Sequence, residues 1–154
     1  MRDAVNRKQA DTANTLFDLL FSGAFERHAK LKLVLAESEI GWIPFMLQQW
    51  DYYALRFADR TPLPSGIQPS ESFAKQVYCT FFNDAFGARS FQWGWGVDNC
   101  MWSNDFPHGN TTWPNSREII ARDLSMLPDT VRSKLLWENV TRLYGLTLPP
   151  PIEA

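Results

Sequence analysis

The sequence lacks the features that would make several protein classes easy to assign. It holds two cysteines, Cys79 and Cys100, with no CxxC spacing, which excludes a disulfide framework and a zinc knot and leaves two reduced, buried thiols as the plain reading. No apolar run approaches the roughly 18 residues that cross a bilayer, and the first fourteen residues are polar without the apolar centre of a signal peptide, so the expected setting is the cytoplasm, with no membrane partner. The formal charge is only -2, and the fifteen Lys and Arg are scattered rather than gathered on a stripe, so nothing offers nucleic acid a basic field. Internal repeats and low-complexity segments are also missing.

What is present is a heavy aromatic load. Seven Trp, eleven Phe and four Tyr supply more ring surface than a chain of this length leaves in solvent, and such rings fill a core or line a pocket or interface. The apolar spacing then alternates between helix and strand. Thr15 to His28 places Leu16, Leu19, Leu20 and Ala24 on one stripe and predicts a helix despite Gly23, with His28 in a structural role near its end. Leu31 to Ala36 (LKLVLA) predicts a strand buried on both sides. After Glu37, Ser38 and Glu39, helical spacing resumes from Ile43 to Phe57, with Pro44 in the first turn. A loop rich in Pro and Gly (Thr61 to Pro69) follows, and Ser70 is placed to cap a short turn over Glu71 to Ala74. Gln76 to Phe82 and Asn99 to Ser103 predict two further strands, and each ends in polar residues: Asn83 and Asp84 after the first, Asn104 and Asp105 after the second. Asn115 or Ser116 can start a helix, and Pro128 opens another that continues to Tyr144 and stops at Gly145.

Buried strands separated by helices predict an α/β fold with a parallel sheet, and polar residues at strand C-termini are where such folds place their sites. The pattern fits an open α/β sandwich and part of a barrel equally. Asp105 at a strand end suits two roles, as an anionic oxygen ligand and proton carrier beside a metal, or as a cap of the turn through Pro107. Glu37 and Glu39, two residues apart at a strand end, share a pleat face and can point into one pocket, or be solvated corner carboxylates. Trp42 and Trp113 can wall an apolar or aromatic substrate, or pack in the core.

VLAESEIGWIPF (Val34 to Phe45) and WSNDFPHGNTTWPNS (Trp102 to Ser116) resemble the amidohydrolase-related family, which includes aminocarboxymuconate semialdehyde decarboxylase and related metal-dependent hydrolases and decarboxylases. FSGAFERHAKLKLVLAE, PSESF with QVYCTFFND, and LPDTVRSKLLWENVTRLYGL are similar to its sixth-strand, seventh-strand and closing-helix regions, so the resemblance runs from Leu16 to Leu146. It implies a partial TIM (β/α)8 barrel, with strands like the sixth to eighth, organised as a polar segment 1–14, a C-terminal barrel half 15–146 and a Pro-rich tail 147–154. It also implies that Asp105 is the eighth-strand catalytic and metal-binding acid, and that His108, in the family's DxPH pattern, supports the substrate pocket together with Glu37, Glu39, Trp42 and Trp113. The sixth strand of the decarboxylases supplies a His; here the matching stretch reads Glu37, Ser38, Glu39. The family's first-strand His-x-His and fifth-strand His have no match upstream of Leu16. A complete barrel takes about 250 residues, so the expectation is part of an enzyme for a small carboxylated or aromatic substrate. With one ligand in place, the chain is expected to be inactive alone and to hold no zinc or manganese tightly. It would pair with a separate N-terminal half-barrel or form a homo-oligomer.

Overall fold

The computed structural model describes residues 2–64 and 66–147. Helix α1 (Arg2–Phe21) precedes a short α2 (Ala24–Arg27) and strand β1 (Leu33–Leu35). Helices α3 (Ile43–Arg56) and α4 (Pro69–Gln76) lead to β2 (Val77–Phe81), and a short α5 (Ala85–Ala88) with a 3-10 turn leads to β3 (Cys100–Trp102). Helix α6 (Ser116–Leu124) is followed by α7 (Asp129–Ser133) and α8 (Asn139–Tyr144), joined through one π-helical stretch at Lys134–Glu138.

Helix α1 begins much earlier than its apolar stripe. Residues such as Ala4, Lys8, Gln9, Ala10 and Ala13 favour helix by propensity although they lack an apolar period, and this extends the helix back from Thr15. Gly23, at φ 72, then breaks it, and a Cβ there would meet Pro64 at 3.1 Å. Ser70 does not cap α4. Pro69 takes the first helical turn after Gln68, and the Ser70 N–H donates instead to Asp51 Oδ1 at 3.0 Å. The last helix is not the uninterrupted run its apolar side predicts, since the π-helical stretch divides it. Gly145 ends it in the left-handed conformation, as expected.

The three strands form one parallel sheet in the order β1-β2-β3, with Leu35 opposite Cys79 and Cys79 opposite Cys100. Side chains alternate across it. Leu35, Val77, Cys79, Phe81 and Cys100 face the helices and pack with Leu16, Leu20, Ile43, Leu47, Leu124 and Leu135 in one core. Val34, Tyr78 and Thr80 point the other way and are half-buried. Strand β1 is therefore not buried on both sides as its aliphatic run predicts; it lies at a sheet edge, and Leu33 and Val34 keep partial exposure. Both cysteines are free and buried, and desolvation pushes both thiols up, away from reactivity. Among the described residues, no helix is long and apolar enough to cross a membrane.

One device repeats at the N-terminal ends of the strands. Gln76 Nε2 donates to His28 O (3.1 Å) and Leu31 O (3.0 Å) before β1. Asn99 Nδ2 does the same to Ala74 O (3.0 Å) and Val77 O (2.8 Å) at the start of β2, and Asn139 Nδ2 to Val97 O and Cys100 O (both 2.8 Å) at the start of β3. Each side-chain amide thus ties one strand entry to the unit that follows it. A buried carbonyl left without its donor costs about 1–3 kcal/mol. Asn139, fully buried, serves two. Asn139→Ala should therefore lower stability by about 3 kcal/mol, read from the urea denaturation midpoint; a loss below about 0.5 kcal/mol would show that these carbonyls find other partners.

Candidate functional site at the strand C-termini

Because the strands are parallel, their C-terminal ends form one rim. Strand β1 ends at Leu35, and the chain then turns through Glu37 and Glu39, both in the left-handed region at φ 54 and φ 53. Once the extended backbone stops, the two-residue alternation no longer holds, and the two glutamates meet different partners rather than sharing a pleat face. The Glu37 N–H donates to Thr80 Oγ1 at 2.7 Å, and the Glu37 carboxylate joins Asp105 and His108. Glu39 Oε2 accepts the Phe82 N–H at 3.2 Å.

Asp105 follows β3, also left-handed at φ 57, with its side chain only 5% exposed. The competing roles of this residue separate in the structure. Asn104, not Asp105, receives the turn's Phe106 N–H on its side-chain oxygen at 3.1 Å. Asp105 Oδ1 instead lies 2.8 Å from His108 Nδ1, and the backbone bond from His108 N to Asp105 O (2.9 Å) closes the turn that brings the imidazole back. Glu37 Oε1 is 3.9 Å from the same nitrogen. One donor atom from each of Glu37, Asp105 and His108 lies within 4.8 Å of the others. Desolvation pulls the Asp105 carboxyl up, but its contacts with the Glu37 carboxyl and the His108 imidazole outweigh it and hold the group below the usual carboxylate range, with Lys8 of α1 adding to the effect.

Past the ends of β1 and β2 is a cavity of about 490 Å³ lined by Glu39, Trp42, Met46, Asn83, Phe86 and Gln9; Glu37, Asp105 and His108 do not line it. Trp42 is held there by its indole N–H, which donates to Ser38 O at 3.0 Å. Trp113 is elsewhere: it is 59% exposed, outside both this cavity and the core, and sits edge-on to Phe106 at 6.2 Å between centroids. Three participants carried no role in the sequence reading. Thr80 holds Glu37, Asp84 accepts the Ile40 and Gly41 N–H groups, and Gln9 reaches the cavity from α1. The polar pair Asn83 and Asp84 after the second strand is a signal that could have marked Asp84; nothing in the sequence places Gln9.

A parallel sheet with its polar residues collected on the C-terminal rim defines an α/β scaffold of the kind that places its sites at the strand ends. The comparisons give the family. The family model described as amidohydrolase matches residues 11–146, and the chain belongs to that family. It is similar to the 5-carboxyvanillate decarboxylase of Sphingomonas paucimobilis (24% identity, TM-score 0.71, covering 88% of this chain and 40% of that one). It is also similar to an amidohydrolase of Mycobacterium avium subsp. paratuberculosis K-10 (21%, 0.71, covering 85% and 32%). A third likeness is to a dihydroxybenzoic acid decarboxylase of Polaromonas sp. JS666, solved with manganese and 2-nitroresorcinol (18%, 0.72, covering 89% and 40%). No curated protein matches. The neighbours are TIM-barrel enzymes, so the fold is a partial (β/α)8 barrel, spanning between 32% and 40% of their lengths.

The Glu39 carboxyl is raised above its ordinary 4.5, first by desolvation and then by Asp84, against the pull of the Phe82 N–H. The folded chain thus binds this proton more tightly than the unfolded chain. The associated stability is present below pH 4.5 and is lost as pH rises through the raised value. Glu39→Gln keeps an acceptor for Phe82 and removes the titration. Urea midpoints should therefore fall for the wild type relative to the variant between pH 4.5 and neutrality; a constant difference would show that the carboxyl is not desolvated.

Proposed function

We propose that this rim is part of the active site of a metal-dependent amidohydrolase-type hydrolase or decarboxylase acting on a small carboxylated or aromatic substrate. The observation that carries the reading is the convergence of Glu37, Asp105 and His108 at the ends of two strands. Two carboxylate oxygens and one imidazole nitrogen are a donor set suited to zinc or manganese. Ser103 Oγ, two residues before Asp105, is buried without a hydrogen-bond partner, which leaves a polar atom near the rim for a ligand. A divalent ion held there would supply Lewis acidity toward a substrate oxygen.

The chain's own residues would then divide the work. Without an ion, Asp105 Oδ1 lies 2.8 Å from Nδ1 of His108 and accepts its proton in a hydrogen bond; as a metal ligand the imidazole would give its donor nitrogen to the ion and act as a ligand, not as a proton carrier. Trp42 and Met46 offer apolar walls to a flat substrate, and Glu39 offers a polar contact in the same cavity. Three protein ligands are the lower end of what a catalytic ion needs. Further ligands from outside this sequence would tighten the site and restore turnover, so the chain alone is expected to be inactive.

A second reading, a non-catalytic self-associating subunit or one that pairs with a separate N-terminal half, is favoured by the two outer sheet edges, at β1 and β3, which have no strand neighbour among the described residues. Sedimentation equilibrium separates the readings, because a strict monomer counts against this one.

Manganese titrated into the purified chain and followed by electron paramagnetic resonance should show one weak site. Glu37→Gln and Asp105→Asn should each weaken it about tenfold or more, in line with the loss of one metal contact. Binding that ignores both substitutions would remove the metal reading.

A further inference from the structure

Asp84 is outside the donor cluster, yet its carboxylate is occupied on both oxygens. Oδ2 accepts the N–H groups of Ile40 at 2.8 Å and Gly41 at 2.6 Å, and Oδ1 accepts the N–H of Gly87 at 2.7 Å. Capping α5 needs only the last of these. The other two reach across to the corner that carries Glu37. The fit is close on both sides: a Cβ on Gly41 would come 3.0 Å from Oδ1, and one on Gly87 would come 2.5 Å from Oδ2.

The corner itself would not hold this shape unaided. Glu37 and Glu39 both have left-handed backbones, which residues with a Cβ adopt only when their surroundings enforce it. The enforcement comes from alternate positions of β2 and its exit. Thr80 takes the Glu37 N–H, the Phe82 N–H takes the Glu39 carboxylate, and Asp84 takes the next two amides. Two of the three contacts use a carboxylate, and bonds to an ionised group are roughly twice as strong as neutral ones; against the single 3.2 Å bond of Glu39, Asp84 makes two of them, at 2.8 and 2.6 Å. It also anchors the far end of the corner, without which the two left-handed residues are free to relax.

We infer that Asp84 is the positioning residue of this site: its carboxylate locks the corner over residues 37–41 in the turn that aims Glu37 at Asp105 and His108. The inference rests on the proposed role of that cluster, and its test has a readout independent of metal. The Glu37 amide bonds Thr80 and not Asp84, so its hydrogen exchange reports whether the corner is held. The Cys79 amide, bonded to Asn99 O, reports the core.

In the full chain, labelled with nitrogen-15, Asp84→Asn should speed exchange at Glu37 at least tenfold relative to Cys79. It should also raise at least tenfold the manganese concentration that broadens the Glu37, Asp105 and His108 signals. Asn139→Ala, which weakens the opposite end of the sheet, should accelerate both amides without favouring Glu37. Exchange at Glu37 that tracks Cys79 in Asp84→Asn overturns the inference. If manganese broadens nothing in the wild type, the metal reading falls, while the exchange ratio still decides whether Asp84 holds Glu37. Should Asp84→Asn fail to fold, Gly41→Ala presses on the same carboxylate; it should raise the same ratio, and an unchanged ratio counts against the role.

Discussion

Parallel pairing of β1, β2 and β3 is the constraint from which the rest of the molecule follows. With Leu35, Cys79 and Cys100 in register, all three strands leave the sheet on the same side, and whatever follows each strand must share that rim. Glu37 and Asp105 are far apart in sequence and exit different strands, with β2 between them. An antiparallel pairing would have sent one of these carboxylates to the opposite end of the sheet.

The two ends of the sheet are secured by different chemistry, and the difference suits their roles. At the strand entries, the neutral amides of Gln76, Asn99 and Asn139 satisfy buried and partly buried carbonyls and take no charge into the core. At the exits, the bonds run through a hydroxyl and carboxylates: Thr80 to Glu37, Glu39 to Phe82, Asp84 to Ile40 and Gly41, Asp105 to His108. Charged groups at a partly open rim keep some hydration, whereas in the core they would meet a desolvation cost that three short strands cannot offset.

Local rules fail mainly on this rim. Among the described residues, the non-glycine residues with left-handed backbones are Glu37, Glu39 and Asp105, and all three lie just past a strand end. Sequence patterns predict unstrained backbone, so they placed the two glutamates on one face and could not tell a turn-capping Asp105 from a ligand. The structure assigns the cap to Asn104 and leaves the Asp105 carboxylate to His108. Strain that the surroundings enforce is common where side chains must be aimed rather than merely accommodated.

The sequence by itself determined the order of strands and helices, the parallel α/β class, the helix stop at Gly145, the free thiols and the stretch from Trp102 to Ser116 that carries the family resemblance. These depend on apolar spacing, turn chemistry and motif, which are local properties of the chain. It did not determine the early start of α1, since propensity without an apolar period leaves no pattern to read, nor the edge exposure of β1. Only the tertiary structure decided that Glu37 meets Asp105 and His108, that Glu39 turns instead to Phe82 beside Trp42, and that Asp84 fastens the corner. Those contacts join residues more than forty positions apart, and their geometry comes from strand register and from backbone conformations that no residue in the corner prefers alone.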